Sequence, residues 1–296
     1  MITRRRFAGA AGAAAVFAGV GLPGAVRAAS GFPETLQAEL ARIERESGGR
    51  LGVAVLDTGT GARAGHRADE RFPMCSTFKL VLAAAVLARV DGGTESLDRR
   101  IRIKPGDIYE YSPVTEPRLG DELTVEALCE AAVVVSDNTA AMLLLGGIGG
   151  PPGMTAFFRS LGDPVTRLDR GELELNEAVP GDPRDTTAPA AMVSDLQRLV
   201  LGDALTPASR EKLTAWMIGC RTGDARLRAG LPKDFRVGDK TGTGGRGSTN
   251  DIAVIWPPGR APVIVAAYLT ETEAPPPARN GALAAVGKAV ASALAG

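Results

Sequence analysis

The chain has 296 residues, enough for one large domain or two modest ones with a sizeable core. Its 34 basic residues balance 34 acidic ones, so neither a nucleic-acid-binding field nor a charged disordered tail is indicated. A single histidine and three cysteines without ligand spacing speak against a zinc site and leave only His66 for a Ser-His-Asp triad.

The first segment, 3-TRRRFAGAAGAAAVFAGVGLPGAVRAAS-30, has a charged start, an apolar run and small residues before a cleavage point near Ala28. It reads as an export signal over 1–29, and the arginines before Phe7 resemble the twin-arginine type. The run is short and broken by Pro23, and no later segment could span a bilayer. The expected product is exported, to the periplasm or beyond. Cys75, Cys129 and Cys220 are odd in number, so at least one thiol is unpaired.

Next, Leu36, Leu40 and Ile43 recur at helical spacing over 33–47, between Pro33 and Gly48-Gly49. The run 51-LGVAVLD-57 reads as a buried strand, 57-DTGTG-61 as a hairpin turn, and 62-ARAGHRADE-70 as a short strand or turn carrying His66 at the surface. From Ser76 to about Gly219 the pattern is almost wholly helical with long loops. Strand character returns in 235-FRVGDKTG-242, 251-DIAVIWP-257 and 262-PVIVAAYLT-270, and an Ala-rich helix closes the chain over 278–294 after the loop 274-APPPA-278. This order predicts an α+β fold. A five-stranded antiparallel sheet is flanked by terminal helices, and an all-helical domain is inserted. The expected boundaries are 30–74 and 220–296 for the discontinuous α/β domain and 75–219 for the helical one.

Four polar islands interrupt these elements. Ser76 and Lys79 lie three apart at the start of the apolar helix 73-PMCSTFKLVLAAAVLA-88, so they share a face. A serine is a poor nucleophile until a base takes its proton, and a lysine serves only if burial or charge lowers its pKa. Helix N–H groups there could bind an oxyanion. The bland alternative is a lysine at a solvated helix edge. The second island, 136-SDN-138, splits two apolar helical runs, and its side chains must line a cleft or cap a helix. The third, 239-DKTGTGG-245, ends a strand with Lys240 followed by small residues that let a ligand approach the backbone. The fourth, 169-DRGELELNEAVPGDPRDTTAP-189, is a long polar loop. Arg170 and Asp185 could close it, while Glu172 and Asn176 could hold a water. A merely solvated surface loop is the alternative.

In this order, Ser76-x-x-Lys79, Ser136-Asp137-Asn138, Glu172-x-x-x-Asn176 and Lys240-Thr241-Gly242 resemble the class A serine β-lactamases, from about residue 33 to the end. The resemblance implies the same fold and a hydrolase that opens β-lactams through a Ser76 acyl-enzyme, with no cofactor and no metal. It makes Lys79 and Glu172 candidate bases and puts the oxyanion between the backbone N–H groups of Ser76 and Thr243. Ser136 becomes a proton relay and Lys240 a positive charge for the substrate carboxylate, with Thr241, Thr243 and Arg226 beside it. Asn138 would hold the substrate's acylamide, Asn176 the deacylating water with Glu172, and Tyr111 the cleft mouth. Arg221, Arg228 and Arg246 rival Arg226.

Two positions depart from the family's common pattern. Cys75 precedes the nucleophile, where some carbapenem-hydrolysing relatives bridge a cysteine to one just after the Lys-Thr-Gly triplet. Here Thr243, Gly244 and Gly245 follow, so that bridge cannot form. Leu173 stands where many relatives have proline after the glutamate. A D,D-peptidase or a non-hydrolysing penicillin-binding sensor shares much of this chemistry. The peptidase lacks the Glu172–Asn176 water site, and a sensor is usually tethered to a membrane. The partners expected are small β-lactams, with no nucleic acid, no stable membrane span after signal removal, and a monomeric chain.

Overall fold

Alternate residues of the central strands enter two separate apolar cores, which fixes where every other element must pack. The computed structural model describes residues 32–295; the expected export segment lies outside them. The strands are β1 (Arg50–Asp57), β2 (Arg63–His66), β3 (Phe72–Pro73), β4 (Arg100–Arg102), β5 (Glu122–Thr124), β6 (Thr186–Thr187), β7 (Arg236–Thr243), β8 (Thr249–Trp256) and β9 (Val263–Thr270). Five of them form one antiparallel sheet in the order β2-β1-β9-β8-β7. The two ends of the chain meet where β1 pairs with β9, with Val53 opposite Ala267.

On the outer face, Leu51, Val53, Val55, Val263 and Val265 pack against α1 (Phe32–Ser47) and α9 (Pro276–Ala295). Leu36, Leu40 and Ile43 form the buried stripe of α1. On the inner face, Ala54, Leu56, Ile252, Val254 and Ile264 join the core of the helical block. Its centre is α2 (Phe78–Asp91), in which every residue from Phe78 to Leu87 is buried. That helix is apolar all round because it is surrounded on all sides. It packs against α3 (Val125–Val134), α4 (Asn138–Gly147) and α7 (Pro207–Ile218).

The α+β architecture agrees with the sequence pattern, with two local differences. Short strands occur within the helical block, and one of them, β6, pairs with β3 just before it. The β4–β5 pair and the β3–β6 pair are two or three residues long, too short for a period-2 signal. The last helix starts at Pro276, inside the expected 274–278 loop, because proline at a helix start loses no hydrogen bond. Among the described residues no single helix is long and apolar enough to cross a membrane. The apolar pair α4 and α5 (Gly150–Ser160) bends by 76°, and Leu144, Leu145, Met154 and Phe158 from it are buried in the inner core.

Candidate active site

Ser76 sits in a tight 3₁₀ turn, Cys75–Thr77, that runs directly into α2. The turn is entered through Cys75 at φ +46°, a left-handed conformation that a side chain adopts only under constraint. Three contacts supply the constraint. Thr77 N–H and Oγ1 both donate to Met74 O, and Asn250 Nδ2 donates to the carbonyls of Pro73 and Met74 at 2.9 and 3.1 Å. The third is β7, which passes so close that a Cβ on Gly242 would lie 2.8 Å from Met74 O and 3.2 Å from Ser76 N. Only glycine lets the strand bring its backbone alongside the Ser76 N–H.

One turn along α2, the Lys79 side chain is wholly buried. Its amine lies 3.2 Å from Glu172 Oε1, donates to Ser136 O at 3.0 Å, and bonds Asn138 Oδ1. Burial pushes the Lys79 pKa down, and the Glu172 charge opposes that shift. The solvated-edge alternative is therefore excluded. The Cys75 thiol beside Ser76 is pushed up to about 12, chiefly by burial and then by Glu172, so it is protonated and no rival nucleophile. All three cysteines are free.

The break between α3 and α4 is organised by Asp137. Its wholly buried carboxylate caps α4 through Ala140 N–H and also accepts from Val114 N–H, Thr115 N–H and Thr115 Oγ1. These bonds pin the preceding segment, 105–118, to the helix start and turn Ser136, at φ +62°, toward β7. Lys240 Nζ donates to Ser136 Oγ at 3.0 Å and to Thr241 O at 2.7 Å. Lys240 is wholly buried; burial, with Lys79 and Arg226 adding, pushes it down to about 7. Asn138, expected at the substrate's side chain, has its amide engaged within the protein. Its oxygen faces Lys79 and its Nδ2 donates to Glu110 O at 2.7 Å. Tyr111 stands 56% exposed at the edge of this group, also in the left-handed region, at φ +61°.

The long loop carries Glu172 to Lys79. Asp185 Oδ1 accepts from the N–H groups of Asp169 and Arg170 at 2.7 and 2.9 Å, and its Oδ2 accepts from Arg170 Nε at 2.6 Å. Arg170 also pairs with Glu177. Asn176 Nδ2 donates to Glu172 Oε2, while Asn176 Oδ1 is buried without a hydrogen-bond partner among the described residues. The Glu172–Leu173 peptide is cis. Gly245 N–H donates to Asn176 O at 2.8 Å, which ties the loop to the end of β7. A cavity of about 550 Å³ behind the loop, between Arg170, Val179 and Arg50, is lined by none of Ser76, Lys79, Ser136, Glu172 or Lys240. The chemistry lies on the loop's other side.

Arg226 reaches the same place from beyond the sheet. It is 9% exposed and donates from Nη2 to Thr243 Oγ1 at 2.7 Å. Of its rivals, Arg228 pairs with Asp239. Thr241 Oγ1 is hydrogen-bonded to Thr222 Oγ1. His66 is half-buried on β2 and bonds Glu44 Oε2 at 2.8 Å. No group of three or more His, Cys, Asp or Glu side chains could hold a metal among the described residues. The sequence reading missed Asn250, which braces the nucleophile turn, and Thr222, which bonds Thr241. The available signal was 249-TND-251, three polar residues opening an apolar strand.

Thus one cluster gathers Ser76, Lys79, Ser136, Asn138, Glu172, Asn176 and Lys240, with Thr243 and Arg226 adjoining. The family description "Beta-lactamase enzyme family" matches residues 35–294. Beta-lactamase L2 of Stenotrophomonas maltophilia is 51% identical over 278 residues, 91% of each chain. Beta-lactamase AST-1 of Nocardia asteroides is 50% identical, over 86% of this chain and 82% of the relative. Among solved structures, an ancestral class A β-lactamase is 65% identical with a TM-score of 0.86, over 87% of this chain and 99% of that one. A putative class A β-lactamase, PenP from Rhodopseudomonas palustris, is 58% identical with a TM-score of 0.87, over 88% and 100%. With that agreement along nearly the whole described fold, the chain belongs to the β-lactamase enzyme family, among its class A members.

Proposed function

We propose that this protein hydrolyses β-lactam antibiotics through an acyl-enzyme on Ser76. The observation that carries the reading is the buried Glu172 carboxylate, in contact at once with Lys79 and Asn176 at the nucleophile's helix. A peptidase or a sensor has no use for a second base there.

In acylation, Ser76 Oγ attacks the lactam carbonyl carbon and its proton passes to Lys79 or Glu172. Lys79 can act because burial lowers its basicity. Charge grows on the carbonyl oxygen, and the N–H groups of Ser76 and Thr243 receive it. A donor of this kind is worth about 3 kcal/mol in a transition state. The C–N bond then breaks, and Ser136, bonded to Lys240, protonates the departing nitrogen. In deacylation Glu172 takes a proton from a water that attacks the ester carbonyl, with Asn176 Oδ1 supplying the water's second acceptor. The ester C–O bond breaks and Ser76 Oγ recovers a proton. Lys240, Thr241, Thr243 and Arg226 bind the substrate carboxylate, Tyr111 borders the entrance, and Asn138 contributes to the substrate's amide side chain while holding Lys79. Arg170 and Asp185 keep the loop closed.

The same proposal covers an exported monomer acting on small molecules without a nucleic-acid partner. The cleft is taken to lie between a helical domain, 75–219, and a discontinuous α/β domain. Mass spectrometry of the intact protein mixed with benzylpenicillin, with lactam absorbance followed in parallel, tests it. Wild type should consume the lactam without a lasting adduct, and Glu172→Ala should accumulate one acyl group per chain. A stable adduct on wild type would instead identify a sensor or a peptidase, and neither adduct nor turnover would remove Ser76 as the nucleophile.

A further inference from the structure

Arg226 is an unusual cation, because its guanidinium is held entirely by neutral oxygens. Nη1 donates to Gly242 O at 2.7 Å and Asn250 O at 2.6 Å, Nη2 to Thr243 Oγ1 at 2.7 Å, and Nε to Asn280 Oδ1 at 3.1 Å. Among the described residues no carboxylate lies within ion-pair distance of it. These charge-assisted bonds fix the guanidinium once it is in place, and the backbone that launches the side chain decides whether it can reach them.

That backbone is clamped from two sides. On one side, α9 presses so close that a Cβ on Gly287 would lie 2.3 Å from Leu227 O, and the Leu227 side chain is wholly buried in the outer core. On the other, the N–H of Leu227 donates to Asp251 Oδ2 at 3.1 Å. Asp251 lies on β8 directly across from Thr241 of β7, and it is wholly buried. Its Oδ1 has no hydrogen-bond partner among the described residues. A buried carboxyl with one oxygen spent on a single backbone N–H is expensive to keep unless that bond matters.

We propose that Asp251 is a positioning residue for the substrate carboxylate: it fixes the Arg226–Leu227 backbone and so aims the Arg226 guanidinium at Thr243 and the bound substrate. The inference rests on the β-lactamase reading of the site and deepens it. Burial, and then the neighbouring Asp239 charge, push the Asp251 carboxyl well above the ordinary range, against the pull of Arg226. The Asp251 side-chain oxygen holds Leu227 by accepting from its N–H. An amide of the same shape would do the same.

The test is steady-state kinetics on benzylpenicillin for wild type, Asp251→Ala, Asp251→Asn, Arg226→Ala and the Arg226→Ala/Asp251→Ala double variant. Asp251→Ala should raise KM about tenfold, the factor that 1.4 kcal/mol represents, with kcat within about twofold of wild type. Asp251→Asn should restore the wild-type KM, because its side-chain oxygen still accepts from Leu227. In the Arg226→Ala background, Asp251→Ala should add nothing further, since its effect passes through the arginine. Should Asp251→Ala not fold, Asp251→Ser, too short to reach Leu227 N–H, replaces it. An active wild type with unchanged KM in Asp251→Ala, a loss in kcat alone, no rescue by asparagine, or additive losses in the double variant would each overturn the inference while leaving the enzyme reading intact. A wild type inert toward benzylpenicillin would overturn both.

Discussion

Lys79 and Lys240 are both wholly buried, and burial weakens the proton affinity of both amines. Their surroundings differ. Glu172 lies against Lys79 and supports its charge, whereas Lys240 meets the like charges of Lys79 and Arg226 and falls to about 7. A consequence can be read in the pH profile. Lys240 is a cation below about pH 7 and loses its proton above it, so kcat/KM for a carboxylate-bearing substrate should begin to fall near that pH. Lys240→Arg, which keeps its charge, should carry the limb several pH units higher; an unshifted limb would assign it elsewhere. The stability consequence has the opposite sense. The folded value lies below the unfolded one of about 10.4, so between them the unfolded chain binds more protons. Stability from this group therefore rises with pH from about 7 upward. The spacing of Ser76 and Lys79 was legible in the sequence because three residues make one helical turn. The partner of Lys79 was not, since Glu172 arrives from a loop far along the chain.

The element that delivers Glu172 is the loop from Asp169 to Thr187, and Asp185 is its clasp. The carboxylate is 1% exposed and takes three hydrogen bonds, two of them from backbone. Asp185→Ala strands those donors, including the Arg170 guanidinium. It should cost about 2 kcal/mol in unfolding free energy and slow deacylation more than acylation, seen as an acyl adduct that persists in rapid-quench mass spectrometry. Normal turnover of both penicillins and cephalosporins would count against the clasp. The Arg170–Asp185 pairing was readable because opposite charges bracketed a long loop containing Gly and Pro. The second tie, Gly245 N–H to Asn176 O, was not readable, because any residue carries those backbone groups. The short β3–β6 pair that anchors the loop's far end also escaped detection, as two residues carry no periodic signal.

At the scale of the molecule, the sheet separates two apolar cores; the inner one lies under the nucleophile's helix, and the outer one reaches the site through Leu227, behind Arg226. Leu51 is wholly buried in the outer core beneath α1 and α9. Leu51→Ala should therefore cost about 2–5 kcal/mol of stability through the cavity it leaves, measured by denaturant unfolding. It should leave kcat for benzylpenicillin within about twofold at a temperature where the variant is folded. A large loss of kcat would mean that the outer core positions the site.

The sequence by itself determined the α+β order, the five sheet strands and the four polar islands. Those signals are local: apolar period, turn residues, and polar side chains where burial would otherwise be expected. The tertiary structure alone decided which islands meet and what each meeting does to a charge. Asn138 illustrates the difference: the family resemblance implied a substrate contact, and the fold adds a bond from Lys79 to its oxygen. Asn250 and Asp251 illustrate it again, reading as the polar start of a strand yet bracing the nucleophile turn and the Arg226 backbone. Contacts across the sheet and down from the loop join residues far apart in the chain, and pKa depends on the burial and charge those contacts create.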